Sequence, residues 1–249
     1  MEETELAVIV LAAGKGARMK STLAKVLHPL ASRPMLSYIL DMAAPLQPAR
    51  TIIVVGHQSE KVKAEFSGRG LEFVIQAEQL GTGHAIAQAK GVLGSFHGTV
   101  LILCGDMPFL KTSTLDRLIN RRQETGAACA LLSLKSNRKK DFGRIVRGED
   151  GSILRIVENS DATAEEKLID EYNSGVYCFN KDLLFKALDE IDNRNAQGEF
   201  YLTDTVEWAR RKNLKVESIQ TEDGLELFGI NSAEDLKEAE NHLRKQPSY

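Results

Sequence analysis

The chain has 249 residues, 43% hydrophobic and 27% charged, with a formal net charge of −3. This is long enough for one large α/β domain, and it excludes the general basic field that nucleic-acid binders use. No apolar run reaches the length of a bilayer span, and the acidic start Glu2-Glu3-Thr4-Glu5 lacks the pattern of a secretory signal, so a soluble cytoplasmic protein with no membrane or nucleic-acid partner is expected.

In chain order, strand-like runs fall at Leu6–Ala12, Thr51–Val55, Leu71–Ile75, Thr99–Cys104 and Ala127–Leu134. Helical patterns separate them: one opened by Pro34 and carrying Met35, Leu36, Ile39, Leu40 and Ala43, then Ser59–Phe66, Gly83–Val92 and Ser113–Glu124. Such alternation predicts an α/β fold with a mainly parallel sheet and helices on both faces. After Leu134 the rhythm changes. Arg144–Arg147 and Ile153–Glu158 flank Gly148-Glu149-Asp150-Gly151, a hairpin signal. A strand at Asn173–Phe179 precedes helices at Lys181–Ile191 and Thr203–Lys212, with short strands at Val216–Ile219 and Leu225–Phe228. A final helix begins at the capping pair Ser232 and Asp235. We expect one domain over 1–249: a parallel-sheet half to about 134, a mixed-sheet lobe from about 135 to 230, and a helix over 232–249. The basic run Arg138-Lys139-Lys140 reads as a solvated turn, and Cys104, Cys129 and Cys178 as small buried hydrophobes of a reducing compartment.

The first strand runs into Leu11-Ala12-Ala13-Gly14-Lys15-Gly16-Ala17-Arg18-Met19, and Lys25 follows Arg18 by seven positions. Small residues let backbone N–H groups approach a polyphosphate, and the two cations neutralise its charge. Met19 stands where a dinucleotide fingerprint needs its third glycine, and no Gly-Lys-Ser/Thr completes a P-loop.

Gln76 to Ala85 follows the third strand. The Gln76 amide can both donate and accept, as the edge of a uracil ring requires, and Gly81 and Gly83 let backbone close over a flat base beside the Thr82 hydroxyl. The same segment also fits a glycine turn into a helix with exposed glutamines. Asp106, after the fourth strand, fits an oxygen ligand for Mg²⁺ or a cap before Pro108, and the loop upstream favours the ligand. Gly143, Glu158 and Asn173 could hydrogen-bond sugar hydroxyls, although Asn173-Ser174-Gly175 also fits a turn. Asn231 could complete a metal site with Asp106; taken alone, a role in starting the last helix suits it better.

The opening loop resembles the nucleotidyltransferase signature of sugar-nucleotide pyrophosphorylases. With Lys25-Val26-Leu27-His28, Gln76–His84, Gly105-Asp106, Phe142–Ile145, Asn173–Gly175, Asn195–Asp204 and Gly229-Ile230-Asn231, the chain resembles the uridylyltransferase half of the bacterial bifunctional enzymes that make UDP-N-acetylglucosamine. Matches run from residue 6 to about 235.

The resemblance implies a Rossmann-like sheet of the nucleoside-diphospho-sugar transferase type. It implies transfer from UTP to N-acetylglucosamine 1-phosphate with Mg²⁺, using Arg18 and Lys25 as catalytic cations. Leu11, Ala12, Ala13, Gly14, Lys25, Gln76, Gly81 and Thr82 would hold the nucleotide. Thr82, Gly143, Glu158 and Asn173 would hold the sugar, and Asp106 and Asn231 the metal. Glucose 1-phosphate or dTTP as substrates, or a catalytically silent sensor, are the alternatives.

The family usually has proline before the lysine, where this chain has Ala24, which implies a less rigid loop. Cys104 stands where many members have an aromatic residue. The family's trimerising hexapeptide β-helix is not in the sequence, so a monomer is expected.

Overall fold

In the computed structural model, which describes residues 5–136 and 141–245, the opening strand β1 (Glu5–Ala12) lies inside a nine-stranded sheet. Ala7 and Ile9 enter one hydrophobic core and Val8 and Val10 the other. Burial on both faces is what a parallel strand sandwiched between helix layers requires, and it explains the unbroken apolar run.

The chain continues through a short hairpin, β2 (Pro29–Leu30) and β3 (Arg33–Pro34), to α1 (Met35–Ala43) and β4 (Arg50–Val55). Next come α2 (Ser59–Glu65), β5 (Glu72–Ile75), α3 (Thr82–Ala87), β6 (Gly98–Cys104), α4 (Thr112–Thr125) and β7 (Cys129–Lys135). The second half supplies β8 (Arg144–Arg147), β9 (Ile153–Val157), β10 (Glu171–Asn180), α5 (Lys181–Glu190), α6 (Asp204–Arg211), β11 (Val216–Thr221) and α7 (Ala233–Lys245).

Strand order along the sheet is β11-β7-β10-β6-β1-β4-β5. Every pair on that path is parallel except those that β10 makes with β6 and β7. Strands β8 and β9 form an antiparallel hairpin that joins β10 at Tyr172 opposite Arg144. The mainly parallel α/β sheet is therefore present, and β10 stitches the second half into it. Gly151 turns the hairpin at φ +77, as the Asp-Gly signal predicted.

Two expected elements differ. Leu225–Phe228 is a turn: Asp223 Oδ1 accepts from Leu225 N at 3.0 Å, and Phe228 N donates to Leu225 O at 3.0 Å. Its apolar side chains serve two cores, Leu227 one and Leu225 with Phe228 another, so their alternation mimics a strand. Helix α3 stops at Ala87 instead of Val92. The amides of Ala89 and Lys90 bond carbonyls three residues back, and Gly91 and Gly94 follow. The run Arg138-Lys139-Lys140 lies outside the described residues.

Candidate active site

The loops after β1, β5 and β6 leave the sheet on one side, where open parallel sheets hold their ligands. They enclose a cleft of about 290 Å³. Leu11, Ala12, Ala13, Gly14, Lys25, Gln76, Gly81, Thr82 and Asp106 all line it. The expected nucleotide residues and one expected metal ligand thus meet in one place. Gly14 has open space where a side chain would stand, so its backbone faces the cleft unobstructed. Val26, Gln79, Ala85, Cys104 and Glu199 complete the lining, and none of them was singled out as a site residue in the sequence.

Lys25 reaches the cleft from a single 3-10 turn, Lys25–Leu27. Gly16, at φ +62, makes this possible, since a Cβ there would stand 2.9 Å from the Lys25 Cβ. The Lys25 ammonium donates to Asp106 Oδ2 and, at 2.7 Å, to Asn231 Oδ1. The side chains of Lys25 and Asp106 are only 14% and 21% exposed, so solvent and salt screen this pair weakly.

The two oxygens expected to hold a metal therefore converge on one cationic group. An Asp–Asn oxygen pair fits Mg²⁺, a hard cation that often takes one or two protein oxygens and completes its shell with water or phosphate. Among the described residues, no group of three or more His, Cys, Asp or Glu side chains could hold a metal ion. Asn231 takes the expected part in starting the last helix, and its side chain also reaches the cleft lysine. Its side chain faces Lys25, while its backbone N–H donates to Asp235 Oδ2 at 2.9 Å in the box that starts α7. Ser232 completes the box by accepting from Asp235 N at 3.1 Å.

Gln76 is 4% exposed, so it is no solvent-facing glutamine. Its Nε2 donates to Gly81 O at 3.0 Å and lies 3.2 Å from His84 Nδ1. Gly81 and Gly83 admit the backbone of Phe200. A Cβ on Gly81 would stand 2.5 Å from Phe200 O, and one on Gly83 2.9 Å from it. Phe200 N donates to Leu80 O and Gly83 N to Phe200 O, each at 2.8 Å. Thr82 Oγ1 accepts from Leu202 N at 3.0 Å. The Asn195–Asp204 segment is thereby docked as a wall, with Glu199 facing the cleft.

Gly143, Glu158 and Asn173 form a neighbouring cluster. Asn173 N donates to Gly143 O at 2.8 Å, and a Cβ on Gly143 would sit 3.4 Å from Glu158 Oε2. None of the three lines the cleft itself. Two bridges join them to it. Glu158 Oε1 accepts from Thr203 Oγ1 at 3.0 Å, beside the residue that Thr82 anchors, and Cys104 Sγ donates to Gly175 O at 3.7 Å. Burial pushes the Glu158 carboxyl above the usual range, opposed by the Thr203 hydroxyl.

Cys129 and Cys178 are buried as expected, whereas Cys104 borders the cleft. Burial, then the Asp106 charge, pushes the Cys104 thiol up to about 12, so it stays neutral near pH 7. Arg18 is exposed on the turn Ala17–Met19, whose Met19 is buried, and lies outside the cleft lining. Ala24 adopts φ −55 and ψ 135, angles open to proline, and its N–H donates to Gln58 Oε1 at 3.1 Å.

A parallel sheet with a glycine-bordered cleft at its loop end, and a lysine, an aspartate and an asparagine converging there, defines a protein of the nucleotide-handling α/β class. The chain belongs to the MobA-like NTP transferase domain family, which it matches over residues 8–203. It is 46% identical over 242 residues to the bifunctional protein GlmU of Pelobacter propionicus, covering 97% of this chain and 53% of that one. Its identity to the bifunctional protein GlmU of Exiguobacterium sibiricum is 44% over 238 residues, covering 96% and 53%. The chain thus spans about half the length of the curated relatives it matches. In fold it is similar to a UDP-glucose pyrophosphorylase complexed with UDP-glucose, at TM-score 0.76 and 19% identity over 97% of this chain and 99% of that one.

Proposed function

We propose that the chain transfers a uridylyl group from UTP to N-acetylglucosamine 1-phosphate, forming UDP-N-acetylglucosamine and releasing pyrophosphate. The observation that carries this reading is the convergence of Lys25, Asp106 and Asn231 beside the Leu11–Gly14 loop. Identity of 44–46% to bifunctional GlmU proteins along nearly the whole chain supports the choice of substrates.

The sugar phosphate oxygen attacks the α-phosphorus in line, a new P–O bond forms, and the bond to the bridging oxygen breaks as pyrophosphate leaves. A phosphate monoester is already anionic near pH 7, so the chain need supply no general base. Its contribution is placement and charge. The Leu11–Gly14 backbone and Lys25 hold the triphosphate, with the exposed Arg18 reaching over it from its turn. Gln76, Gly81 and Thr82 hold the nucleoside, and Thr82, Gly143, Glu158 and Asn173 the sugar. Asp106 and Asn231 would hold Mg²⁺, which when bound supplies charge neutralisation at the phosphates.

On this reading the protein works in the cytoplasm as a monomer, and a trimer on a sizing column would contradict the second part. Among the described residues, no helix is long and apolar enough to cross a membrane. Pyrophosphate release with UTP, CTP, dTTP and GTP across a panel of sugar 1-phosphates tests the proposal. Release should be fastest with UTP and N-acetylglucosamine 1-phosphate. Preference for another pair would reassign the substrates, and no release from any pair would favour a silent sugar-nucleotide sensor.

A further inference from the structure

We infer that Gln58 is a positioning residue for Lys25, clamping the loop that delivers the ammonium to the cleft. The inference rests on the reading of Lys25 as the phosphate-holding cation. Lys25 follows directly on Ser21–Ala24, a stretch without helix or strand. The Gln58 amide bonds that stretch at two positions, Thr22 and Ala24. Gln58 Nε2 donates to Thr22 O at 2.5 Å, and Gln58 Oε1 accepts from Ala24 N at 3.1 Å. One planar group thus holds two backbone positions on either side of Leu23, immediately before the lysine.

The clamp is anchored in turn. Gln58 follows β4 and opens α2, where its carbonyl accepts from Lys61 N at 3.0 Å and Val62 N at 3.2 Å. It does so at φ +54, in the left-handed region that disfavours a side chain. Glycine would suit the backbone better there, so the position tolerates strain while presenting an amide to the loop. Gln58 does not line the cleft, and its effect must pass through Lys25.

Gln58→Gly separates this role from a merely structural one. It keeps the α2 bonds, relieves the left-handed strain and removes the amide. The melting temperature should not fall. Amide exchange over residues 21–28 of the ligand-free protein should accelerate about tenfold, the scale of losing two modest hydrogen bonds. Turnover should fall about tenfold through the misplaced ammonium, with KM for the sugar phosphate nearly unchanged.

Adding Ala24→Pro should slow the exchange again and restore part of the turnover. The backbone angles at 24 suit proline, and its N–H no longer has the Gln58 acceptor. Unchanged exchange in Gln58→Gly, parental turnover despite faster exchange, or no recovery on adding Ala24→Pro would each overturn the inference. If the parent protein turned over no substrate pair, the proposed function would fall, while exchange would still decide whether the clamp exists.

Discussion

The Lys25 ammonium donates to the carboxamide oxygen of Asn231 at 2.7 Å, although the two residues lie 206 positions apart. Asp106 shares the same ammonium from a third part of the chain. The cation of the opening loop and the two residues expected as metal ligands are thus one cluster.

This arrangement predicts opposite effects of one substitution. Lys25→Met should lower kcat on the order of 10²-fold, the scale of losing a preorganised electrostatic contact. It should also tighten binding of free Mn²⁺ by about tenfold, because a competing ammonium is removed from mostly shielded oxygens. Turnover assays and Mn²⁺ titration followed by electron paramagnetic resonance would check the two halves. Weaker Mn²⁺ binding would contradict the competition.

Asp106→Asn should raise the Mg²⁺ concentration needed for half-maximal turnover by about tenfold or more, since a hard cation loses its charged ligand. A metal titration of the variant that superimposes on that of the parent would remove Asp106 from the site.

Gly81→Ala should be costly for reasons of shape. The residue has φ +106, and a Cβ would stand 2.5 Å from Phe200 O. Left-handed strain and overpacking together should cost about 2–4 kcal/mol, read from urea unfolding. Because the wall carrying Glu199 docks here, cleft binding should weaken as well.

Asp204 makes stability depend on pH. Burial first, then the carboxylates of Glu207, Glu158, Asp192 and Asp161, push its carboxyl up to about 6. A carboxyl raised on folding stabilises the fold fully below its unfolded value of 3.8, and that contribution is lost as pH rises through about 6. Asp204→Asn should therefore melt higher than the parent at pH 8, with the difference shrinking towards pH 4. Partial exposure keeps the gain well under the roughly 3 kcal/mol that such a shift carries at full burial. Equal melting curves at pH 8 would contradict it.

The parts of the site nearest to strands were legible in the sequence. Leu11–Gly14, Gln76 and Asp106 each follow an apolar run, and parallel sheets place such residues together. The meeting of Lys25 with Asn231 was not legible from spacing, because it depends on a tertiary contact in which Ile230 N donates to Asp106 O at 2.9 Å. Gly81 and Gly83 were marked correctly as positions needing glycine, but the backbone they admit belongs to Phe200, a tertiary contact without local signature. Leu225–Phe228 failed for a related reason, since residues that serve two cores imitate the alternation of a strand. Gln58 carried no motif; its role follows from its bonds to Thr22 and Ala24.

The most direct test follows the uridylyl group itself. With UTP labelled at the α-phosphate, N-acetylglucosamine 1-phosphate and Mg²⁺, the label should pass into UDP-N-acetylglucosamine in a one-to-one ratio with released pyrophosphate. Label that stays in UTP, or appears only as UMP by transfer to water, would contradict the account.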